Sequence, residues 1–261
     1  MQISIKTNFP DVQKYIDRVG KQARFAAMQS INDTAFKVRD ELQREMRAKF
    51  DRVTPYILRS VQVTKATKQS MTATIEPKYM GGKGIDPQKI LRAQIFGGSR
   101  RLKRSEVALN RAGILPAGYV IVPGDAVPLD VYGNVKGGFI VQLISYFQAF
   151  GEQGYKANMT AKRKASLAKR GRKQGYKTIG GVEYFVNYGK LRGGRGGKHL
   201  HPGIWARTGI HGSDIKPILM FVRAPNYQTR LDFFGVSRPT IDQEFPKFFE
   251  RRFADALRTA R

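Results

Sequence analysis

The fold of this chain is set by the stretch MQSINDTAFKVRDELQREMRAKF, residues 28–50, in which apolar residues return every three or four positions. That spacing places them along one face of a helix, and the same rhythm extends back to residue 11. We therefore expect one long amphipathic helix over residues 11–50, or two helices joined near Gly20. The apolar positions are Val12, Tyr15, Ile16, Val19, Phe25, Met28, Ile31, Ala35, Val38, Leu42, Met46 and Phe50.

A short helix and two hairpins are predicted downstream of this helix. Thr54 precedes Pro55 and is expected to cap the short helix. Residues 61–65 and 71–76 then alternate with period two around a polar turn, which is typical of a β-hairpin. A second hairpin is predicted over residues 176–187, because the two glycines at 180 and 181 can adopt the positive φ angles of a tight turn.

The order of elements predicts the fold class. The other expected elements are strands over residues 119–122, 201–208 and 215–222 and helices over residues 139–150 and 237–261. Pro246 should kink or restart the last helix. Helix, strands, insertions, strands and helix in this order predict an α+β fold, with the long N-terminal helix and the C-terminal helix packed on an antiparallel sheet.

The charge of the chain points to a binding or assembly protein. The formal net charge is +27, and residues 154–213 hold fourteen Lys and Arg but one carboxylate, Glu183. Such a surplus faces phosphates, an acidic partner surface or solvent. We expect the contact at Lys162, Arg163, Lys164, Lys169, Arg170, Arg172 and Lys173, with a second basic patch at Arg100, Arg101, Lys103 and Arg104; a solvated face is the alternative for both.

The sequence offers candidate residues for a metal site, a nucleotide-binding site and an active site, but it favours none of them. His199, His201, His211 and Asp214 contain a His-x-His pair that could ligate zinc, but the glycine-rich surroundings and the lack of a zincin motif favour surface histidines. The glycine-rich loop over residues 189–197 lacks a nucleotide-binding pattern. No cysteine, paired carboxylates or nucleophile elbow is present, so we expect no cofactor, no metal and no enzymatic activity.

The aromatic residues of the basic region allow two interpretations. Tyr155, Tyr176, Tyr184, Phe185 and Tyr188 could stack on unpaired bases while the basic side chains follow the backbone. We favour packing of Tyr184, Phe185 and Tyr188 on the two faces of the predicted hairpin. Trp205 and Phe221 are expected in the core.

Three segments resemble a known family. Residues 28–63 (MQSINDTAFKVRDELQREMRAKFDRVTPYILRSVQV) resemble the opening of the prophage minor tail protein Z family, with the Ile31-Asn32 pair as the close match. Residues 200–227 (LHPGIWARTGIHGSDIKPILMFVRAPNY) are similar to the strand core of tail-completion proteins of this type. The Phe-rich C-terminal helix agrees in position and character.

The resemblance implies a structural virion protein of a tailed phage, a homo-oligomeric ring subunit at the head–tail neck in six or twelve copies. It implies portal or adaptor proteins and tail proteins as partners and no membrane. We expect the basic segment to contact either acidic surfaces of these neighbours or the packaged DNA end. The resemblance also implies a single tail-completion-like domain over residues 1–261, in which residues 80–175 are an insertion. We expect a basic, glycine-rich arm over residues 155–198, with interface positions at Gly193, Gly194, Arg195 and Lys198.

Two other functions compete with this one. The first is non-sequence-specific nucleic-acid binding, which the charge alone would support. The second is a metal-dependent nuclease using His199, His201 and Asp214. The start of the chain shows no leader pattern and no stretch approaches eighteen apolar residues, so we expect a soluble protein made in a cytoplasm. The resemblance implies that this is the host cytoplasm and that the protein is incorporated into the virion.

Overall fold

The chain forms two compact units. The computed structural model describes residues 2–6, 20–79, 81, 84–147, 178–179, 182–189, 200–208 and 214–259. Residues up to Arg100 together with those from Asn226 onward form one unit, here called the terminal unit, and Arg101–Pro225 form the other, the inserted unit. The predicted insertion over 80–175 and arm over 155–198 extend outside the described residues, so their boundaries stay predictions.

The described elements are helices and short strands. The helices are α1 (Lys21–Lys49), α2 (Pro55–Ser60), α3 (Pro87–Phe96), α4 (Arg104–Arg111), α5 (Gly137–Tyr146) and α6 (Phe233–Thr259). The strands are β1 (Ile3–Lys6), β2 (Val61–Thr64), β3 (Thr72–Pro77), β4 (Gly98–Ser99), β5 (Tyr119–Pro123), β6 (Thr178–Ile179), β7 (Val182–Asn187), β8 (Gly203–Thr208), β9 (Asp214–Arg223) and β10 (Asn226–Tyr227). Their pairings are antiparallel, and the predicted α+β class is confirmed.

Helix α1 buries the apolar stripe that the sequence predicts. Five fully buried residues recur every three or four positions along the helix: Ile31, Ala35, Val38, Leu42 and Met46. Phe25 was expected on the same stripe and is instead partly exposed. The Lys68 ammonium lies 5.6 Å from the centroid of the Phe25 ring, so a cation contacts the ring near the start of the helix. The predicted residues 11–19 lie outside the described ranges.

Helices α1 and α6 run antiparallel in the terminal unit. Near the N-terminal end of α1, Asp33 accepts two hydrogen bonds from the Arg252 guanidinium, at 2.7 and 3.1 Å. At the opposite end, the Arg230 side chain donates to the carbonyl of Lys49. Between these two contacts Phe233 and Phe245 of α6 enter the same core as the α1 stripe. The two helices therefore close one hydrophobic core from opposite ends of the sequence.

Helix α6 contains two prolines without ending at either. The predicted restart at Pro246 is wrong, because the helix continues from Phe233 to Thr259 through Pro239 and Pro246, while the alternative, a kink, stays a prediction. Each proline removes a hydrogen bond to the carbonyl four residues earlier, at Gly235 and Asp242. Those residues and both prolines are exposed, so water can take the place of the missing donors.

The Thr54 cap and the hairpin of the first sheet form as predicted, and strand β1 is an addition to that prediction. Ile57 N–H donates to the Thr54 side chain at the start of α2, which confirms Thr54 as its cap. Strands β2 and β3 form the expected hairpin with Val63 opposite Ile75, and β1 pairs with the other side of β3. Strand β3 is therefore central, and alternate residues of it, beginning at Ala73, are buried.

Asn32 joins α1 to the hairpin. Its amide oxygen accepts the Ala66 N–H at 2.7 Å, and its amide nitrogen donates to the Ala66 carbonyl at 3.2 Å. Ala66 is buried beyond the end of β2, so its backbone groups depend on these two bonds rather than on water. One side chain thus fixes the position of the hairpin loop on the helix.

The β4–β10 pair holds together the points where the chain leaves and re-enters the terminal unit. Ser99 lies opposite Asn226, and Gly98 lies opposite Tyr227. The carbonyl of Gln94 also accepts the backbone N–H groups of Arg230 and Leu231. These contacts lie within the terminal unit, so they hold the two crossing points close together without using residues of the inserted unit.

The inserted unit contains a five-stranded sheet in the order β5-β9-β8-β7-β6. Strand β9 lies inside the sheet, as the length of its apolar run predicts. The β6–β7 hairpin is confirmed in the described residues. Helix α5 begins two residues before the predicted position and ends at Tyr146. Helices α4 and α5 contribute to a core made by Leu109, Leu143, Ile144, Ile121, Ile204 and Phe221.

Trp205 and Phe221 are buried, as predicted. The Trp205 indole N–H donates to the His201 carbonyl at 3.0 Å, so the polar edge of the ring is satisfied. In the same strand, Gly203 lies so close to β9 that a Cβ atom would stand 2.6 Å from the Leu219 carbonyl oxygen. The close approach of β8 and β9 therefore requires glycine at this position.

We expect Asn32→Ala to destabilise the protein by about 2 kcal/mol, because a buried N–H and a buried carbonyl lose their partners. Chemical denaturation followed by circular dichroism measures the change. Asn32→Asp keeps the acceptor for the N–H but faces the carbonyl with a carboxylate, so it should also destabilise. Gln29→Ala on the same helix is the control; equal effects of Asn32→Ala and Gln29→Ala would contradict the role of Asn32.

Candidate interaction surfaces

The structure describes one of the two predicted basic clusters. The first cluster and the interface positions of the arm lie outside the described residues: Lys162, Arg163, Lys164, Lys169, Arg170, Arg172, Lys173, Gly193, Gly194, Arg195 and Lys198. The second patch lies where the terminal unit leads into α4. Its Arg101, Lys103 and Arg104 side chains are exposed, and Arg100 is half-buried. This patch is therefore accessible to an acidic partner in the single chain.

Asp214, a candidate zinc ligand that the structure describes, has other polar contacts. The Asp214 carboxylate accepts from Lys216 and from the Thr208 hydroxyl, both at 2.9 Å. The hydrogen bond from Lys216 is the main cause of a lowered Asp214 pKa. His201 is exposed, while His199 and His211 lie outside the described ranges. Within those ranges no three His, Cys, Asp or Glu residues cluster in a way that could hold a metal ion.

The aromatic residues of the β7 region pack within the inserted unit. Tyr184 is buried against Tyr146, with ring centroids 5.6 Å apart. Phe185 points to the opposite face, where the Arg207 guanidinium lies 5.2 Å from its centroid. Tyr188 packs against Phe221 at 6.5 Å. These contacts support the packing interpretation of the three aromatic residues; Tyr155 and Tyr176 lie outside the described residues.

A buried carboxylate protects the outer edge of the sheet at β5. Glu106 of α4 has no exposed surface. One of its oxygens accepts the Ile121 N–H at 3.0 Å, and the other accepts the Lys103 N–H at 2.6 Å. The first bond occupies a backbone donor on the free side of β5, and the second completes the N-terminus of α4. Glu106 therefore fixes the helix to the strand edge.

Tyr146 protects the opposite edge of the sheet, at β7. Strand β6 has two residues, so beyond Glu183 the β7 edge has no partner strand among the described residues. The Tyr146 hydroxyl accepts the Tyr184 N–H at 3.2 Å and donates to the Tyr184 carbonyl at 2.9 Å. Burial raises the pKa of Tyr146, and a backbone hydrogen bond to Tyr184 opposes this shift. The neutral phenol is the form that can make both contacts.

Helix α3 of the terminal unit presents a basic and aromatic surface. Phe96 is 60% exposed and Phe234 is 47% exposed, with ring centroids 6.5 Å apart. Lys89 and Arg92 share the Phe96 side of α3 by their helical spacing and line an open depression with it. Phe234 packs against the buried Phe233, so its ring is held in place. We call Lys89, Arg92, Phe96 and Phe234 the aromatic patch.

A rigid loop of the inserted unit presents apolar side chains to solvent. Leu129 and Val135 form a β-bridge, and the Asp130 carboxylate between them accepts the N–H groups of Tyr132 and Asn134, both at 2.9 Å. Val131 at the tip is 81% exposed. We call residues 129–135 the tip loop. Its backbone is fixed by hydrogen bonds and Val135 packs against the core of the inserted unit, whereas Val131 projects into solvent.

The sequence interpretation missed both surfaces. The tip loop has a recognisable signal, because Asp130 and Gly133-Asn134 are turn residues flanked by Leu129 and Val135. The aromatic patch has no such signal, since it joins Phe96 to Phe234 across 138 positions of the sequence. Only the closure of α6 over the terminal unit brings these two rings together.

Comparison of the chain with known proteins finds no relative. The chain matches no protein-family model, no curated protein and no solved structure. Among the described helices, none is both long enough and apolar enough to cross a lipid bilayer.

We expect Glu106→Gln to destabilise the inserted unit by about 2 kcal/mol, because glutamine offers one acceptor oxygen where two buried N–H groups need one each. Hydrogen exchange at Ile121 should speed up, and thermal unfolding should shift to lower temperature. Arg111→Gln on the exposed end of the same helix is the control and should change neither. Unchanged exchange at Ile121 would show that Glu106 does not hold the strand edge.

Tyr146→Phe should destabilise by about 1 kcal/mol at neutral pH, because the Tyr184 backbone groups lose their partner. The raised Tyr146 pKa adds stability that is fully present below about pH 10, the pKa of an unfolded tyrosine, and is lost as pH rises through the folded pKa. The variant should therefore lose less stability than the wild type above pH 10. Tyr119→Phe is the matched control, and equal alkaline losses in all three proteins would contradict the prediction.

Proposed function

We propose that this chain is a structural virion protein of a tailed bacteriophage, a ring subunit of the head–tail neck that acts in tail completion. Its role is protein–protein assembly rather than catalysis, and its copies number six or twelve. Portal or adaptor proteins and tail proteins are its neighbours. The basic arm contacts their acidic surfaces or the packaged DNA end.

The observation that carries this proposal is the presence of two separate, rigidly held apolar surfaces on one chain. The aromatic patch lies on the terminal unit, and the tip loop lies on the inserted unit. Exposed apolar groups on a fixed backbone are typical of protein interaction sites. A closed ring needs two different surfaces on each subunit, since every copy contacts its two neighbours through different faces.

The segments that resemble the tail protein family have structural roles here. Asn32 of the Ile31-Asn32 pair joins α1 to the first hairpin. The Gly203–Trp205 stretch lies in β8, directly beside the β9 segment from Lys216 onward. A family pattern made of such packing residues is consistent with an architectural protein.

The charge supports a polyanionic or acidic neighbourhood. A compact protein with a net charge of +27 repels itself, and counter-charged partners reduce that repulsion. Acidic ring neighbours and DNA both meet this need. The same charge favours a second candidate, a nucleic-acid-binding protein without a ring, in which binding would weaken steeply with salt.

Mass measurement by sedimentation at low and high salt separates the two candidates. The ring proposal predicts an oligomer of defined mass, or a monomer that assembles on phage particles lacking this protein. Deletion of residues 156–177 should abolish that assembly. A variant with the Lys and Arg of residues 162–173 replaced by Gln keeps the segment length and tests the charge alone. A salt-sensitive monomer that binds DNA and ignores the particles would overturn the ring proposal.

A further inference from the structure

The tip loop belongs to a locally acidic segment of a strongly basic chain. Residues 124–135 contain two carboxylates, Asp125 and Asp130, and no Lys or Arg. Both aspartates are exposed, and the Asp130 carboxylate accepts the backbone N–H groups of Tyr132 and Asn134. The segment therefore presents apolar side chains, Val131 above all, together with negative charge.

The aromatic patch has the opposite character. Lys89 and Arg92 are exposed beside the Phe96 and Phe234 rings. The depression on this face is open and has a volume of about 500 Å³, enough for a few side chains. Its one acidic lining residue, Asp86, uses its carboxylate to cap α3 through the Gln88 N–H. The patch thus combines apolar surface with positive charge.

Each surface is exposed in its own unit. Val131 is 81% exposed in the inserted unit, and Phe96 is 60% exposed in the terminal unit. Their backbones are held by hydrogen bonds in the loop and by helical structure in α3 and α6, which limits the entropy lost on docking. Complementary charge and complementary apolar character single out a second copy of this chain as the occupant.

We propose that the tip loop of one copy docks on the aromatic patch of the next copy. Val131 packs on the Phe96 and Phe234 rings, and the carboxylates of the loop segment face Lys89 and Arg92. This contact joins two different surfaces, so repetition of it produces a ring or a filament. The inference rests on the proposed ring function and names the surfaces that would form its subunit contact.

Cross-linking between two variants tests the contact directly. The chain contains no cysteine, so single cysteines can be placed without background. A tagged Val131→Cys protein is mixed with an untagged Gln88→Cys protein and treated with a short bis-maleimide reagent. We expect a tagged–untagged product in high yield. Ile215→Cys in place of the loop cysteine and Leu257→Cys in place of the patch cysteine are exposed controls and should give only background.

Self-association of charge variants supplies an independent measurement. Val131→Asp should raise the dissociation constant of the oligomer at least about tenfold, since the residue becomes a buried charge in the contact. Lys89→Glu and Asp125→Lys should each weaken association, and the double variant should recover most of the loss. Circular dichroism of each variant checks that the fold is intact.

The outcomes distinguish this inference from the proposed function. A wild-type ring whose loop and patch cysteines cross-link no better than the controls overturns the docking contact and leaves the neck function standing. Specific cross-linking in a protein that never joins phage particles supports the contact and overturns the neck function. A wild-type chain that stays monomeric at all concentrations, with background cross-linking alone, overturns the contact.

Discussion

The antiparallel packing of α1 against α6 is the constraint on which the terminal unit depends. The two helices come from opposite ends of the chain, and Asp33 and Arg252, which pair across them, are 219 positions apart. Burial of the α1 stripe with Phe233 and Phe245 provides the driving force, while loop-closure entropy grows only slowly with length. Once this core has closed, the β4–β10 pair fixes where the inserted unit begins and ends.

Single polar side chains then set the positions that apolar packing leaves free. Asn32 places the first hairpin on α1, Glu106 holds α4 against β5, and Tyr146 holds α5 against β7. Each of them makes hydrogen bonds to backbone groups that would otherwise have no partner, either in the protein interior or at an open strand edge. Hydrophobic burial is non-directional, whereas these bonds have one geometry, so they determine register and block unwanted strand pairing.

The same organisation produces the interaction surfaces. In both candidate surfaces the exposed apolar side chains lie on ordered backbone: Phe234 contacts the buried Phe233, and the tip loop is closed by the Leu129–Val135 bridge. A protein with a net charge of +27 also presents one acidic, apolar loop, and its basic helix α3 offers the matching surface. Self-recognition by these two surfaces would give a highly basic subunit a specific contact despite its overall repulsion.

Helical and strand periodicities report local geometry, so residue patterns alone predict the α+β class, the α1 stripe, the Thr54 cap, both hairpins and the burial of Trp205. The predicted restart of the helix at Pro246 is wrong, since the tolerance of a proline depends on which side of the helix faces water. The predicted basic cluster over residues 162–173 stays a prediction. The contacts of Phe96 with Phe234 and of Glu106 with Ile121 are visible only in the folded chain, because such pairs depend on chain closure, which no local pattern encodes.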